Sequence, residues 1–196
     1  MNNYEFIIAG LPVLSQDFRE AESLDVDAVV EEILEGLDDK DKEAVGKLLD
    51  GFDPEKLGED FYRDALLSRN SFLRDYFSYD LCVRNIRTRS LNAALGRDEG
   101  KDIVTLEECE PEFDDAAALE AILKGEDILA KEHALDSLMW SRIDELTILE
   151  PPFSLNFILG FIAKLKIVGR WLKLDPETGK ALFKQFVDEI KDKATI

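Results

Sequence analysis

Ser71-Phe72-Leu73-Arg74-Asp75-Tyr76-Phe77-Ser78-Tyr79-Asp80-Leu81-Cys82-Val83-Arg84-Asn85-Ile86-Arg87-Thr88-Arg89 is the stretch whose reading decides the fold. Phe72, Tyr76, Tyr79, Val83 and Ile86 recur at steps of four and three, which places them on one side of an α-helix. Asp80, Arg84 and Arg87 share a neighbouring stripe, so Asp80 can pair with Arg84 one turn later. Asn85, Thr88 and Asn92 make a third stripe, and Asn and Thr are mediocre helix formers with no obvious surface role. The expectation is a central helix whose polar stripe meets another helix or another protein.

Outward from that helix, the chain reads as further helices. Val26, Val29, Val30, Ile33, Leu34 and Leu37 follow helical spacing behind Asp25 as N-cap. Asp38 or Asp39 caps the next pattern, Val45, Leu48, Leu49 and Phe52, which Asp53-Pro54 stops. The long helix spans Glu59 to Leu95 with a break near Asn70-Ser71. Tyr4 to Gly10 is a short apolar run, expected as a strand or an extended segment laid on the core. Arg97 to Asp115 reads as a solvated loop with an acidic run, Glu107, Glu108, Glu110, Glu112, Asp114 and Asp115, lacking the spacing and central glycine of a calcium loop.

Leu119, Ile122 and Leu123 belong to one further helix, and Ile128, Leu135, Leu138, Met139, Ile143 and Leu146 to another. After Glu150-Pro151-Pro152, Ser154 caps the most apolar helix, which runs to Trp171 and Leu172 and is expected at the centre of the bundle. Asp175-Pro176-Glu177 starts a closing helix with Leu182, Phe183, Phe186, Val187 and Ile190 on its buried stripe. The fold class is therefore all-α, a helical bundle with a short extended N-terminal segment. The 196 residues form a single helical domain, divisible into sub-modules at 1–96 and 115–196 joined by the acidic loop.

Composition narrows the function. Apolar residues at 45% and charged residues at 34% describe a well-folded chain, and a net charge of −19 argues against a nucleic-acid binder. Seven of the ten arginines (Arg63, Arg69, Arg74, Arg84, Arg87, Arg89, Arg97) nevertheless lie within 35 residues, a basic island in an acidic chain. Its simplest role is pairing with acidic residues of the same fold; its alternative role is holding an acidic partner. Two cysteines, Cys82 and Cys109, are too few for a disulfide scaffold, and no leader-like run precedes Tyr4, so a cytoplasmic protein without membrane insertion is expected.

The chemistry that the residues offer is sparse. There is no glycine-rich phosphate loop and no serine elbow. A single His133 without nearby cysteines makes no zinc site, and Asp136 and Asp144 read as surface charges. Trp140 and Trp171 read as core. No catalytic residue, metal site or cofactor is expected.

The segment Tyr79 to Arg89, with Tyr79, Asp80, Asn85, Ile86 and Thr88, resembles the signature of the central-axis subunit of V-type and A-type ATPases. Ile158 to Trp171 with Leu174 to Gly179 looks like that family's apolar helix, basic turn and short following helix. Tyr4 to Pro12, Ser71 to Phe77 and Arg170 to Asp175 also resemble a shorter family of uncharacterised bacterial proteins that accompany V-type ATPase genes. The second resemblance covers most of the chain, the first about a quarter.

The resemblance implies a non-catalytic helical socket that couples the central stalk to the membrane rotor ring. Those two assemblies would be its partners, at the inner face of the cell membrane, with Arg84, Arg87, Arg89 and Arg97 as candidate partner-binding residues. Central-axis subunits carry three similar helical modules, and this chain is long enough for about two. A free-standing interaction module that holds an acidic partner is the alternative; a hydrolase or metal enzyme with an unrecognised carboxylate site is a third.

Overall fold

The computed structural model describes residues 4–17, 24–106 and 113–174. Over these residues the chain is all helical, with α1 (Glu5–Gly10), α2 (Val26–Gly36), α3 (Asp39–Asp50), α4 (Glu59–Leu66), α5 (Ser71–Ala94), α6 (Ala116–Leu123), α7 (Ile128–Thr147) and α8 (Leu155–Leu172). The closing helix expected after Asp175, the acidic residues Glu107 to Glu112 and Cys109 lie outside the described residues.

Helix starts follow the side-chain chemistry of the caps. Asp25, Asp38, Asn70, Asp127 and Ser154 each accept a hydrogen bond from the backbone N–H three residues on, which satisfies one of the donors a helix start leaves open. The break expected near Asn70-Ser71 is the boundary between α4 and α5. At the far end of α5, Gly96 takes φ +64°, and the N–H groups of Gly96 and Arg97 return to the carbonyls of Ala93 and Asn92 at 3.2 and 2.9 Å. This double bond closes the helix, and the left-handed φ it requires suits a residue without a Cβ.

The core is built on α5 and α8. Residues of α5 pack against α4, α6, α7 and α8, and residues of α8 pack against α2, α3, α5 and α7. Phe72, Leu73, Tyr76 and Phe77 of α5 join Ile158, Leu159, Ile162 and Ala163 of α8 in one buried cluster. Rings continue it toward α4: Phe72 stacks on Tyr76 at 5.7 Å, and Phe77 meets Phe61 edge-on at 4.9 Å. Polar groups fix the register at the shared end. Asn156 donates to Ser71 Oγ at 3.0 Å and accepts from Asn70 Nδ2 at 2.8 Å. The two longest apolar stripes therefore bury each other, as their lengths suggest.

Helix α7 runs antiparallel to α5, because Tyr79 faces Arg142 while Arg87 faces Glu132. It is antiparallel to α8 as well: Thr147 lies at Gly160, and Glu132 at Arg170.

The N-terminal segment corrects the expected strand. Glu5–Gly10 is a single helical stretch, with Ile7 lying against Gly36 at the end of α2. A six-residue apolar run carries no period that separates strand from helix. With no sheet edge among the described residues to complete a strand's hydrogen bonds, the backbone satisfies itself locally. Tyr4 anchors it: the backbone N–H donates to Phe153 O at 3.1 Å, and the hydroxyl donates to Asp41.

Gly160 marks a close approach of α8 to α7. A Cβ there would stand 2.5 Å from Thr147 Cγ2 and 3.3 Å from Ile143 Cγ2. Overpacking costs ~1–3 kcal/mol, against at most ~1 kcal/mol gained from Ala's better helix propensity. Gly160→Ala should therefore lower the denaturant midpoint, and adding Thr147→Ser, which removes the clashing methyl, should restore part of it. A Gly160→Ala protein as stable as the parent would show that α7 and α8 are not held this closely.

Candidate functional site: the groove between α5 and α7

Three faces of α5 carry the residues singled out by sequence, and they go to different places. The inner face holds Asp80, whose Oδ2 accepts from Tyr62 Oη of α4 at 2.6 Å and from Arg84 Nε at 2.6 Å. The expected pairing of Asp80 with Arg84 is thus present, and one carboxylate oxygen also pins α4 to α5. Tyr79, one residue earlier, donates to Asp115 Oδ2 at 2.7 Å, packs on Phe113 at 5.0 Å and lies 5.3 Å beneath the Arg142 guanidinium. Asp115 thereby leaves the solvated acidic run to which sequence assigned it and serves the core.

Two residues of the polar stripe, Asn85 and Asn92, meet the chain's own loop, while the third, Thr88, lines the groove between α5 and α7. Asn85 donates from Nδ2 to Val104 O at 2.8 Å and accepts from Val104 N–H at 3.1 Å, so its amide pairs with a peptide group as a second strand would. Asn92, 2% exposed, donates to Lys101 O at 2.7 Å. These bonds strap residues 101–104 along α5 and satisfy backbone groups that a loop laid on a helix would otherwise lose to burial. Ile86 turns to the far side of this strap, in a small cleft with Cys82, Leu106 and Phe113.

Past the strap, an open groove runs along the second half of α5. Its α5 wall carries Arg84, Arg87, Thr88 and Leu91; its α7 wall carries Ile128, Lys131, Glu132 and Leu135. Of the four arginines proposed for partner binding, the fold brings Arg84 and Arg87 into this groove. Arg89 lies beside Cys82 and Ile86 on the opposite flank, and Arg97 follows the end of α5. Arg87 Nη2 donates to Glu132 Oε1 at 2.8 Å, and Glu132 Oε2 accepts from Arg170 at 3.2 Å, so one carboxylate is shared by α5 and α8. Arg63 and Arg74 pair with neighbours on their own helices, Arg63 with Glu59 and Asp60 and Arg74 with Asp75, whereas Arg69, Arg89 and Arg97 form no ion pair among the described residues.

Two sequence readings on α7 change. Asp136 is buried rather than a surface charge: it accepts from Trp171 Nε1 at 2.5 Å and pairs with Arg170. Its position between Leu135 and Met139, inside the apolar stripe, was the available signal. Ile128, assigned to the apolar face, instead stands 73% exposed at the groove. Lys131 and Glu132 escaped notice because nothing in the spacing of α7 says which part of α5 it will face.

The groove offers charge and apolar surface side by side. His133 Nδ1 lies 3.5 Å from Ser137 Oγ on an exposed face, beyond ordinary hydrogen-bond length, and its ring meets Trp171 edge-on at 5.6 Å. Among the described residues no group of three or more His, Cys, Asp or Glu is placed to hold a metal, and no helix is long and apolar enough to cross a membrane.

The inner face has a pH signature. Burial, reinforced by the Asp80 carboxylate, pushes the Tyr62 and Tyr76 phenols far above their ordinary range; burial and the hydrogen bond to Asp115 do the same for Tyr79. A raised folded-state pKa means that the folded chain prefers the protonated phenol. That stability is fully present below about pH 10, the unfolded value, and is lost as pH rises above it. In an alkaline titration, tyrosinate absorbance from these three should rise together with loss of helical circular dichroism. Independent ionisation near pH 10 with the helices intact would contradict the burial. In a companion series, Asp80→Ala should destabilise by ~1–3 kcal/mol, since it strands the Tyr62 hydroxyl. Tyr62→Phe should cost less, because Arg84 still serves the carboxylate.

No curated protein and no solved structure matches the chain. Residues 52–194, which include α4 to α8 and both walls of the groove, match the family described as "Protein of unknown function (DUF2764)". The chain belongs to that family.

Proposed function

We propose that the chain is a non-catalytic subunit or accessory protein of a V-type ATPase, a helical socket between the central rotor stalk and the membrane rotor ring. Support comes from the resemblance of Tyr79 to Arg89 to the central-axis subunit. The observation that carries the reading into three dimensions is that Arg84, Asn85, Arg87 and Thr88 of that segment line one open groove between two packed helices. A torque-passing part needs rigid walls, and these walls are helices tied to each other by the Arg87–Glu132 ion pair, with α4 bonded to α5 through Tyr62 and Asp80. In this role the chain sits at the inner face of the cell membrane through the ATPase, without entering the bilayer.

A second reading has an observation of its own. Asp80 and Asn85 are engaged by α4 and by the strap, so the segment serves the fold itself, and the groove then describes a free-standing module for an acidic partner.

Mixing the purified chain with stalk subunits and with detergent-solubilised ring separates the two. At low salt and at ~0.5 M, where screening shortens to a few Å, the coupling reading expects a complex with at least one assembly, weakened by salt but kept by apolar contact. Retention of neither at any salt refutes the coupling reading and leaves the free-standing module.

A further inference from the structure

We infer that the groove between α5 and α7 receives a single amphipathic helix of a partner protein, apolar along one stripe and flanked by carboxylates. This rests on reading the groove as a docking site, not on the partner being an ATPase. The shape argues for a helix. On α5, Arg84, Thr88 and Leu91 are spaced by four and three; on α7, Ile128, Lys131 and Leu135 by three and four. Two antiparallel helices that present such ridges leave a trough that the ridge of a third helix fills. Neither helical wall can take a strand, because the backbone groups of both are bonded within their own helices, and the Val104 peptide that also lines the groove is bonded to Asn85.

From Leu81 to Ala94 the α5 wall extends roughly 20 Å at 1.5 Å per residue, between three and four turns of an occupant.

Chemistry sets the sides. Leu91 is 57% exposed and Ile128 is 73% exposed, so the apolar part of the trough stands open to water and favours an occupant with an apolar stripe. Arg84, Arg87 and Lys131 set three cations on the walls, Arg84 paired with Asp80 and Arg87 with Glu132, and Asp102 adds a further carboxylate. On a chain of net charge −19 this is a local concentration of cations that nearly balances the neighbouring carboxylates, and it favours carboxylates on the occupant's flanks more than the rest of the surface does. Glu132 tunes the site, since it neutralises Arg87 from one side and Arg170 from the other.

That shared carboxylate makes two variants move affinity in opposite directions. The probe is a fluorescent helical peptide of about 18 residues, roughly 27 Å long, with leucines at alternating third and fourth positions and glutamates beside them. One control replaces the glutamates with lysine, and another replaces the leucines with serine. Binding is read by anisotropy on the full chain, with circular dichroism and thermal midpoints of each variant taken alongside.

The inference expects the Glu-flanked peptide to bind about tenfold or more tighter than either control. Arg87→Glu should weaken it by a similar factor, and Glu132→Gln, which removes the ion-pair partner of Arg87 while Arg170 keeps Asp136, should strengthen it several-fold. Because a folding defect cannot improve affinity, the Glu132→Gln result stands apart from stability. Equal binding of the Glu and Lys peptides, or no binding, overturns the inference. So does preference for a single-stranded oligonucleotide, or a dimer of the chain that Arg87→Glu abolishes. Peptide binding without retention of stalk or ring would sink the ATPase reading and leave this one standing.

Discussion

Asp80 is a carboxylate in the middle of the longest described helix, with its side chain only 12% exposed. A charge so placed is tolerable only if it is matched, and a single oxygen collects both available partners, the Tyr62 hydroxyl and the Arg84 guanidinium. Much of the rest follows from that demand. The Tyr62 bond holds α4 against α5, and the ring packing of Phe61 on Phe77 completes the contact. The Arg84 bond sets the direction in which that side chain leaves the helix, and thereby the first cation of the groove. An interior polar constraint and an exterior recognition feature are thus two ends of one ion pair.

The same economy applies to the other faces of α5. Its apolar face meets α8, its amide stripe holds the strap at residues 101–104, and its last turns wall the groove. A 24-residue helix with this many obligations has little free surface, which is why its composition looks odd for either a core or a solvent helix. Asn85 and Asn92 would weaken an ordinary exposed helix; here each bonds a peptide group of the loop.

What the sequence disclosed, and what it withheld, divides along the range of the interactions. Helix existence and starts were legible, because spacing and caps are local: Asp25, Asp38 and Ser154 announce helices that the structure contains, and the break read near Asn70-Ser71 is where α5 begins. The mutual burial of α5 and α8 was legible from stripe length. The Asp80–Arg84 pair was legible because it lies within one turn. Tyr4 to Gly10 was misjudged, because a short apolar run has no period and its conformation is set by what lies beneath it. Asp136 was misjudged because its partners, Arg170 and Trp171, are 34 and 35 residues away. The groove was half legible. Arg84 and Arg87 could be named, but Lys131, Glu132 and Ile128 enter only once α7 is known to run antiparallel along α5. Arg89 and Arg97 look equivalent to them along the chain, but the helical phase sends Arg89 to the other flank and Arg97 lies past the end of the helix.

The central claim is that Asn85 and Asn92 of α5 are spent inside the molecule, on the chain's own loop, which leaves the groove, with Thr88 on its wall, as the outward face. The Val104 amide tests this most directly. It lies in a loop, outside any helix, yet donates to the Asn85 side chain at 3.1 Å. In native-state hydrogen exchange it should be protected well beyond the Thr105 amide next to it, and Asn85→Ala should remove that protection while the amides in the middle of α5 stay slow. If Val104 exchanges as fast as an open loop in the parent protein, the strap is not held by Asn85, and the stripe must be assigned to an outside partner instead.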